Sequence, residues 1–172
     1  MSGSYKAQPI SRPDIRRFVK EIKCFLHLEN EMHFPIIRFL ELCLPLYFPD
    51  FELEVMDSQE MLLNHGETFP DKHIIRLRED VYMRAADGEP RDRMTVAHEI
   101  GHLFLHTGDA VSLCRLAPNE KLKPYEDPEW QANAFGGEML APSYLIRGFS
   151  VREVMCRCNV SEAAAINQLK HI

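Results

Sequence analysis

Asp92 to His106 read DRMTVAHEIGHLFLH, a stretch that carries a helical pattern and a chemical one together. It reads as a helix with Asp92 as its cap and Gly108 just beyond its end. Within it, His98, Glu99 and His102 form the arrangement His-Glu-x-x-His. Two imidazoles four residues apart on a helix project from one face and can reach a single ion. Zinc accepts neutral imidazole nitrogen and prefers a tetrahedral site, so three protein ligands leave a fourth position for water. That water loses its proton more easily beside the dication, and Glu99 can take the proton as the water attacks. The bland alternative is a surface helix with two solvated histidines, and the helical context the chemistry needs argues against it.

The third ligand must come from another element. His106 continues the stripe, yet it lies roughly 12 Å along the axis from His98, too far to share the ion. Its expected role is that of a histidine near a helix C-terminus, where the positive form is favoured. Gly108 stands where a metzincin carries its third histidine, which excludes that class. A gluzincin takes a carboxylate from a second helix, and Asp127-Pro128 opens one that reads EWQANAFGGEML before Pro142 ends it. Glu129 is the best placed donor there. Asp127 is better used as the helix cap, Glu126 precedes the helix, and Glu138 faces another way. Asn133, four residues after Glu129, can hydrogen-bond a histidine ligand and fix its tautomer.

The chain before this stretch splits into helices and strands. Ser11 can cap a first helix with Pro13 in its first turn, and a second is expected from near Pro35 until Pro45 stops it. Phe51, Leu53 and Val55 alternate with polar neighbours, and His73 to Arg78 repeats the strand pattern. Turn chemistry at Phe69 to Lys72 predicts a small antiparallel sheet with Met61 to Thr68 as a further member. A loop is expected around Pro118, Asn119 and Pro124. After Pro142, Ser150 to Ile172 offers two short helices around Asn159, with Ser161 capping the second.

The chain has 172 residues, 45% of them hydrophobic, enough for one sizeable core. The expected organisation is a single domain over 1–172, with a core at 50–142, N-terminal helices at 11–45 and a helical tail at 143–172. With 20 Lys+Arg against 26 Asp+Glu and a formal charge of −6, no global field draws it to nucleic acid or an anionic membrane. No signal peptide and no stretch of roughly 18 to 20 apolar residues is visible, so the expected location is the cytoplasm. Five cysteines, an odd number, fit a reducing compartment. Cys156 and Cys158 read as thiols pointing apart rather than a second metal site, and the apolar run from Phe34 to Phe51 reads as core.

The runs IIRLREDVYMRAADGEPRDRMTVAHEIGHLFLH and EWQANAFGGEMLAP together resemble the ImmA/IrrE family of bacterial and phage metallopeptidases. The resemblance covers Ile74 to Pro142 closely and the flanks loosely. It implies zinc on His98 and His102, with a glutamate four residues before an asparagine on the next helix, which maps onto Glu129 and Asn133. Gly136-Gly137 departs from the family's alanine-type residues and should loosen that helix by about 1 kcal/mol each. Tyr82 and Arg93 are the candidates to steady an oxyanion. The fold expected is α+β: a zincin-like unit, mostly helical, with a small, largely antiparallel sheet beside the active-site helix. The resemblance also implies a protein substrate of the transcriptional-repressor or antitoxin type. Two rivals stand beside it: a zinc-binding regulatory partner without turnover, and a DNA-binding regulator using the tail, whose few basic residues argue against that use.

Overall fold

The computed structural model describes residues 4–108, 111–114 and 122–172; the loop expected at Pro118 and Asn119 lies outside them. Helix α1 (Arg12–Phe25) begins where expected, with the Ser11 hydroxyl accepting from the Asp14 amide and Pro13 in the first turn. Its stripe of Ile15, Val19 and Ile22 is buried against the rest of the molecule.

The second helical stretch does not stop at Pro45. It runs as α2 (Ile36–Arg38), a π-helical turn (Phe39–Cys43) and α3 (Leu44–Tyr47). The wide turn, closed by the Leu44 amide on the Phe39 carbonyl, shifts the hydrogen-bond register just before the proline and lets the helix pass a residue that has no N–H to give.

Strands β2 (Glu52–Met56), β3 (Gly66–Phe69) and β4 (Ile74–Arg78) form one sheet in the order β2-β4-β3. The pair β3–β4 is an antiparallel hairpin through a 3-10 turn, Pro70–Lys72, closed by His73 at φ +52°. The expected antiparallel pairing of Phe51–Met56 with His73–Arg78 is corrected: β2 runs parallel to β4, Leu53 opposite Ile75 and Val55 opposite Leu77. The hairpin partner of β4 is β3, so the chain crosses over from β2 through the short helix α4 (Ser58–Met61) and β3 before entering β4. The sheet is therefore mixed, within an α+β, zincin-like domain. A second sheet pairs β1 (Ser4–Ala7) with β5 (Val111–Cys114), antiparallel.

Helix α5 (Glu79–Ala86) leads into α6 (Pro90–Leu105), which carries the histidine motif. Helix α6 starts two residues earlier than the sequence suggests, with Pro90 in its first turn and Asp92 inside it, paired with Arg84 at 2.5 Å. Beyond His102, Phe104 anchors α6 in an aromatic cluster, with ring centroids 5.2 Å from Phe48, 5.5 Å from Tyr47 and 5.8 Å from Phe135. Helix α7 (Pro128–Leu140) packs along α6 and α1, its N-terminus capped by Asp127, which accepts from the Glu129 amide at 3.0 Å.

Helices α8 (Val151–Cys158) and α9 (Glu162–Leu169) close the domain. A capping box at Ser150 and Glu153 starts the first, Asn159 at φ +52° ends it, and Ser161 caps the second. The Asn159 side chain donates to the Gly88 carbonyl at 2.7 Å and Gln168 donates to the Ala141 carbonyl at 2.9 Å, which fasten the tail to α5 and α7. Cys158 is buried and Cys156 exposed; both are free thiols, as are Cys24 and Cys43. Among the described residues, no helix is long and apolar enough to cross a membrane.

Candidate metal centre

Helix α6 aims His98 and His102 at the first turn of α7, where Glu129 projects. His98 Nε2 lies 3.3 Å from Glu129 Oε2, His102 Nε2 lies 3.3 Å from Glu129 Oε1, and the two Nε2 atoms are 2.9 Å apart. A tetrahedral ion with bonds of about 2.0–2.1 Å holds its ligand atoms about 3.3 Å from one another, so the three donors sit close to the spacing zinc needs. Two ring nitrogens and one carboxylate also match its donor preference.

The short N-terminal turn of α7 makes this possible. Asp127 caps the helix and Pro128 fixes its first φ, so Glu129 emerges toward α6 rather than along the helix. Competing acids point elsewhere. Glu138 is buried beside Arg12 at 3.6 Å and Arg16 at 3.3 Å, and Glu126 pairs with Lys6 at 3.0 Å. Hydrogen bonds with His102 and His98 hold the Glu129 carboxyl far below the usual carboxylate range. For His98, burial opposes protonation, but Glu129 and the charge of Glu99 outweigh it and the pKa is raised.

Each histidine is oriented from behind. His98 Nδ1 lies 3.2 Å from Asn133 Oδ1, one turn beyond Glu129 on α7. His102 Nδ1 lies 2.9 Å from His106 Nδ1, and His106 Nε2 lies 2.9 Å from Gln131 Oε1. His106 does sit at the helix end, but its positive form is not favoured there. It is 4% exposed, and burial pulls its pKa down to about 4.

Glu99 faces β3. Its carboxylate accepts from the Thr68 hydroxyl at 2.6 Å, and a Cβ on Gly66 would meet its side chain at 2.8 Å. A side chain at position 66 would force the Glu99 carboxylate to shift from this place. Burial pushes the Glu99 pKa up, against the Thr68 hydrogen bond and the two histidines.

Tyr82 and Arg93 are not at this centre. The Tyr82 hydroxyl donates to Glu41, and buried Arg93 donates to the Phe34 carbonyl at 2.9 Å. The structure does not bring either side chain to the three ligands; both reach partners on the N-terminal side of the core. Thr68, Gly66 and Gln131 were missed by sequence reasoning. None belongs to a local motif, and only the fold brings β3 and the Gln131 face of α7 to the histidines.

A carboxylate from one helix set against His-Glu-x-x-His on another, beside a small sheet, defines a zincin-like metallopeptidase domain. Residues 53–170 match the Peptidase M78 model, described as an IrrE N-terminal-like domain, and the chain belongs to that family. No curated protein and no solved structure matches it.

Proposed function

We propose that this protein is a zinc-dependent endopeptidase that cuts an intracellular regulator of the repressor or antitoxin type. The observation that carries the reading is the convergence of His98, His102 and Glu129 on one point, with the buried carboxylate of Glu99 one residue from the first ligand. Zinc bound there supplies a Lewis-acid pole that polarises a carbonyl and acidifies water. Glu99 accepts the proton of the attacking water and returns it to the leaving amine. Its burial raises its basicity toward neutral working pH, and Thr68 keeps the accepting oxygen in place.

Open space on both sides of the histidine pair suits an internal peptide bond. A hollow of about 560 Å³ is lined by Tyr5, Thr68, Pro70, His102 and Glu129. Another of about 450 Å³ is lined by Arg91, Met94, Thr95, His98 and Asn133. A chain bound across them continues past the centre in both directions. The class of substrate follows from the family resemblance, and the free thiols fit a reducing compartment.

The test is cleavage of a purified repressor-type regulator by the zinc-loaded protein. Glu99→Gln is expected to lose at least about 100-fold in rate while keeping its zinc. Undiminished cleavage by Glu99→Gln, or a cellular effect that survives the substitution, rejects the reading in favour of a regulator that works without turnover.

A further inference from the structure

Gln131, two residues after Glu129, is 1% exposed and makes every hydrogen bond its amide allows in one direction. Its nitrogen donates to the carbonyls of Gln8 at 2.8 Å and Tyr125 at 2.9 Å. Those two acceptors use both amide hydrogens and so settle which end of the amide is oxygen. That oxygen can only accept, and it faces His106 Nε2 at 2.9 Å. His106 Nε2 therefore carries a hydrogen.

The consequence propagates. A neutral imidazole has one N–H, so His106 Nδ1 is bare and accepts from its neighbour, His102 Nδ1, at 2.9 Å. With its hydrogen on Nδ1, His102 keeps its lone pair on Nε2, the atom that faces His98 and Glu129. The opposite arrangement, with hydrogens on both His106 nitrogens, would make His102 Nδ1 the acceptor and leave Nε2 protonated and unable to ligate.

We propose that Gln131 and His106 are positioning residues that fix the tautomer of His102 and anchor this ligand to the backbone of the N-terminal segment at Gln8. The inference rests on the metal-centre reading above. Gln8 follows β1 and lies outside the region the family model matches, residues 53–170. The same segment is held a second time by the Ile10 amide on the Tyr125 carbonyl at 3.0 Å. The segment just after β1, ahead of the family region, thus acts as part of the scaffold of the centre, through a chain of hydrogen bonds that ends on a ligand.

Long-range proton–nitrogen spectra of the full-length, zinc-loaded protein read the tautomer directly. The expected result is His106 protonated at Nε2 and bare at Nδ1. In Gln131→Met the directing acceptor is gone; the two His106 tautomers mix, and zinc binds roughly 10- to 100-fold more weakly in competition with a chelator. A wild-type His106 carrying its hydrogen on Nδ1 overturns the proposal, as does a folded Gln131→Met with wild-type zinc affinity. Should that variant fail to fold, the wild-type spectrum alone decides. Zinc uptake without cleavage defeats the proposed activity and leaves this assignment standing, whereas a chain that takes up no zinc defeats both.

Discussion

Thr68 shows how one hydroxyl sets the working range of Glu99. Burial favours the neutral carboxylic acid, while the Thr68 hydrogen bond at 2.6 Å favours the carboxylate. Thr68→Val removes the second influence and keeps the first, so the Glu99 pKa rises. The acidic limb of the kcat/KM profile is expected to move to higher pH with zinc content unchanged; a limb that stays in place contradicts the role given to Thr68. Lys23, on α1, offers a second titration. Its ammonium is fully buried, 4.8 Å above the Phe34 ring and 3.4 Å from the Glu31 carbonyl, and burial lowers its pKa from 10.5 to about 8. The unfolded chain then binds more protons than the folded one between these values, so a penalty on the order of 3 kcal/mol at neutral pH fades as pH rises through 8. Lys23→Met is expected to melt at or above the wild-type temperature at pH 7, with the advantage shrinking toward pH 9 and beyond. Cys158, whose thiol burial raises to about 11, loses the Lys23 charge that pulls it down, so in the variant it rises further and shrinks the advantage at alkaline pH in the same direction. A gap that widens with pH would refute the assignment.

At the scale of elements, the centre depends on how closely α6 and α7 approach. A Cβ on Gly101 would lie 3.1 Å from both the Cα and the carbonyl oxygen of Ala132, and one on Gly136 would lie 2.9 Å from Met94 Cε. The helical cost of these glycines is real, about 1 kcal/mol each, but it is offset by contact that brings Glu129 to the histidines. Gly101→Ala gains that propensity and pushes the helices apart, an overpacking cost of about 1–3 kcal/mol. The variant is expected to unfold at lower temperature and to bind zinc more weakly, both measurable by thermal melting with and without the metal; a more stable variant with intact affinity would show that the contact is slack. This contact was not legible in the sequence, where Gly136-Gly137 looked only like a loosening of α7. Capping residues at Ser11, Asp127 and Ser161 were legible because their chemistry is local, although Asp92, expected to cap α6, lies inside it. The direction of β2 was not, since strand pairing is decided by what crosses between strands. Pro45 misled for a related reason: a π turn can absorb a proline, and no residue in the stretch announces it.

For the molecule as a whole, α6, α7, β3 and the N-terminal strand converge on one small volume. The paired histidines and the facing glutamate were readable from helix periodicity and from the resemblance, because both lie on helices with clear starts. The carboxylate's bed at Gly66 and Thr68, and the chain from Gln131 through His106, were not, because their partners are distant in sequence and meet only after folding. If the three ligands grip zinc in the native state alone, saturation at 100 times the dissociation constant adds about 2.7 kcal/mol to stability. The most direct measurement is therefore a zinc titration of the wild type, Glu99→Gln and Glu129→Ala, followed by native mass spectrometry. One zinc per chain in the wild type and in Glu99→Gln, with affinity falling at least about 100-fold in Glu129→Ala, is the predicted result. Wild-type zinc affinity in Glu129→Ala would contradict it.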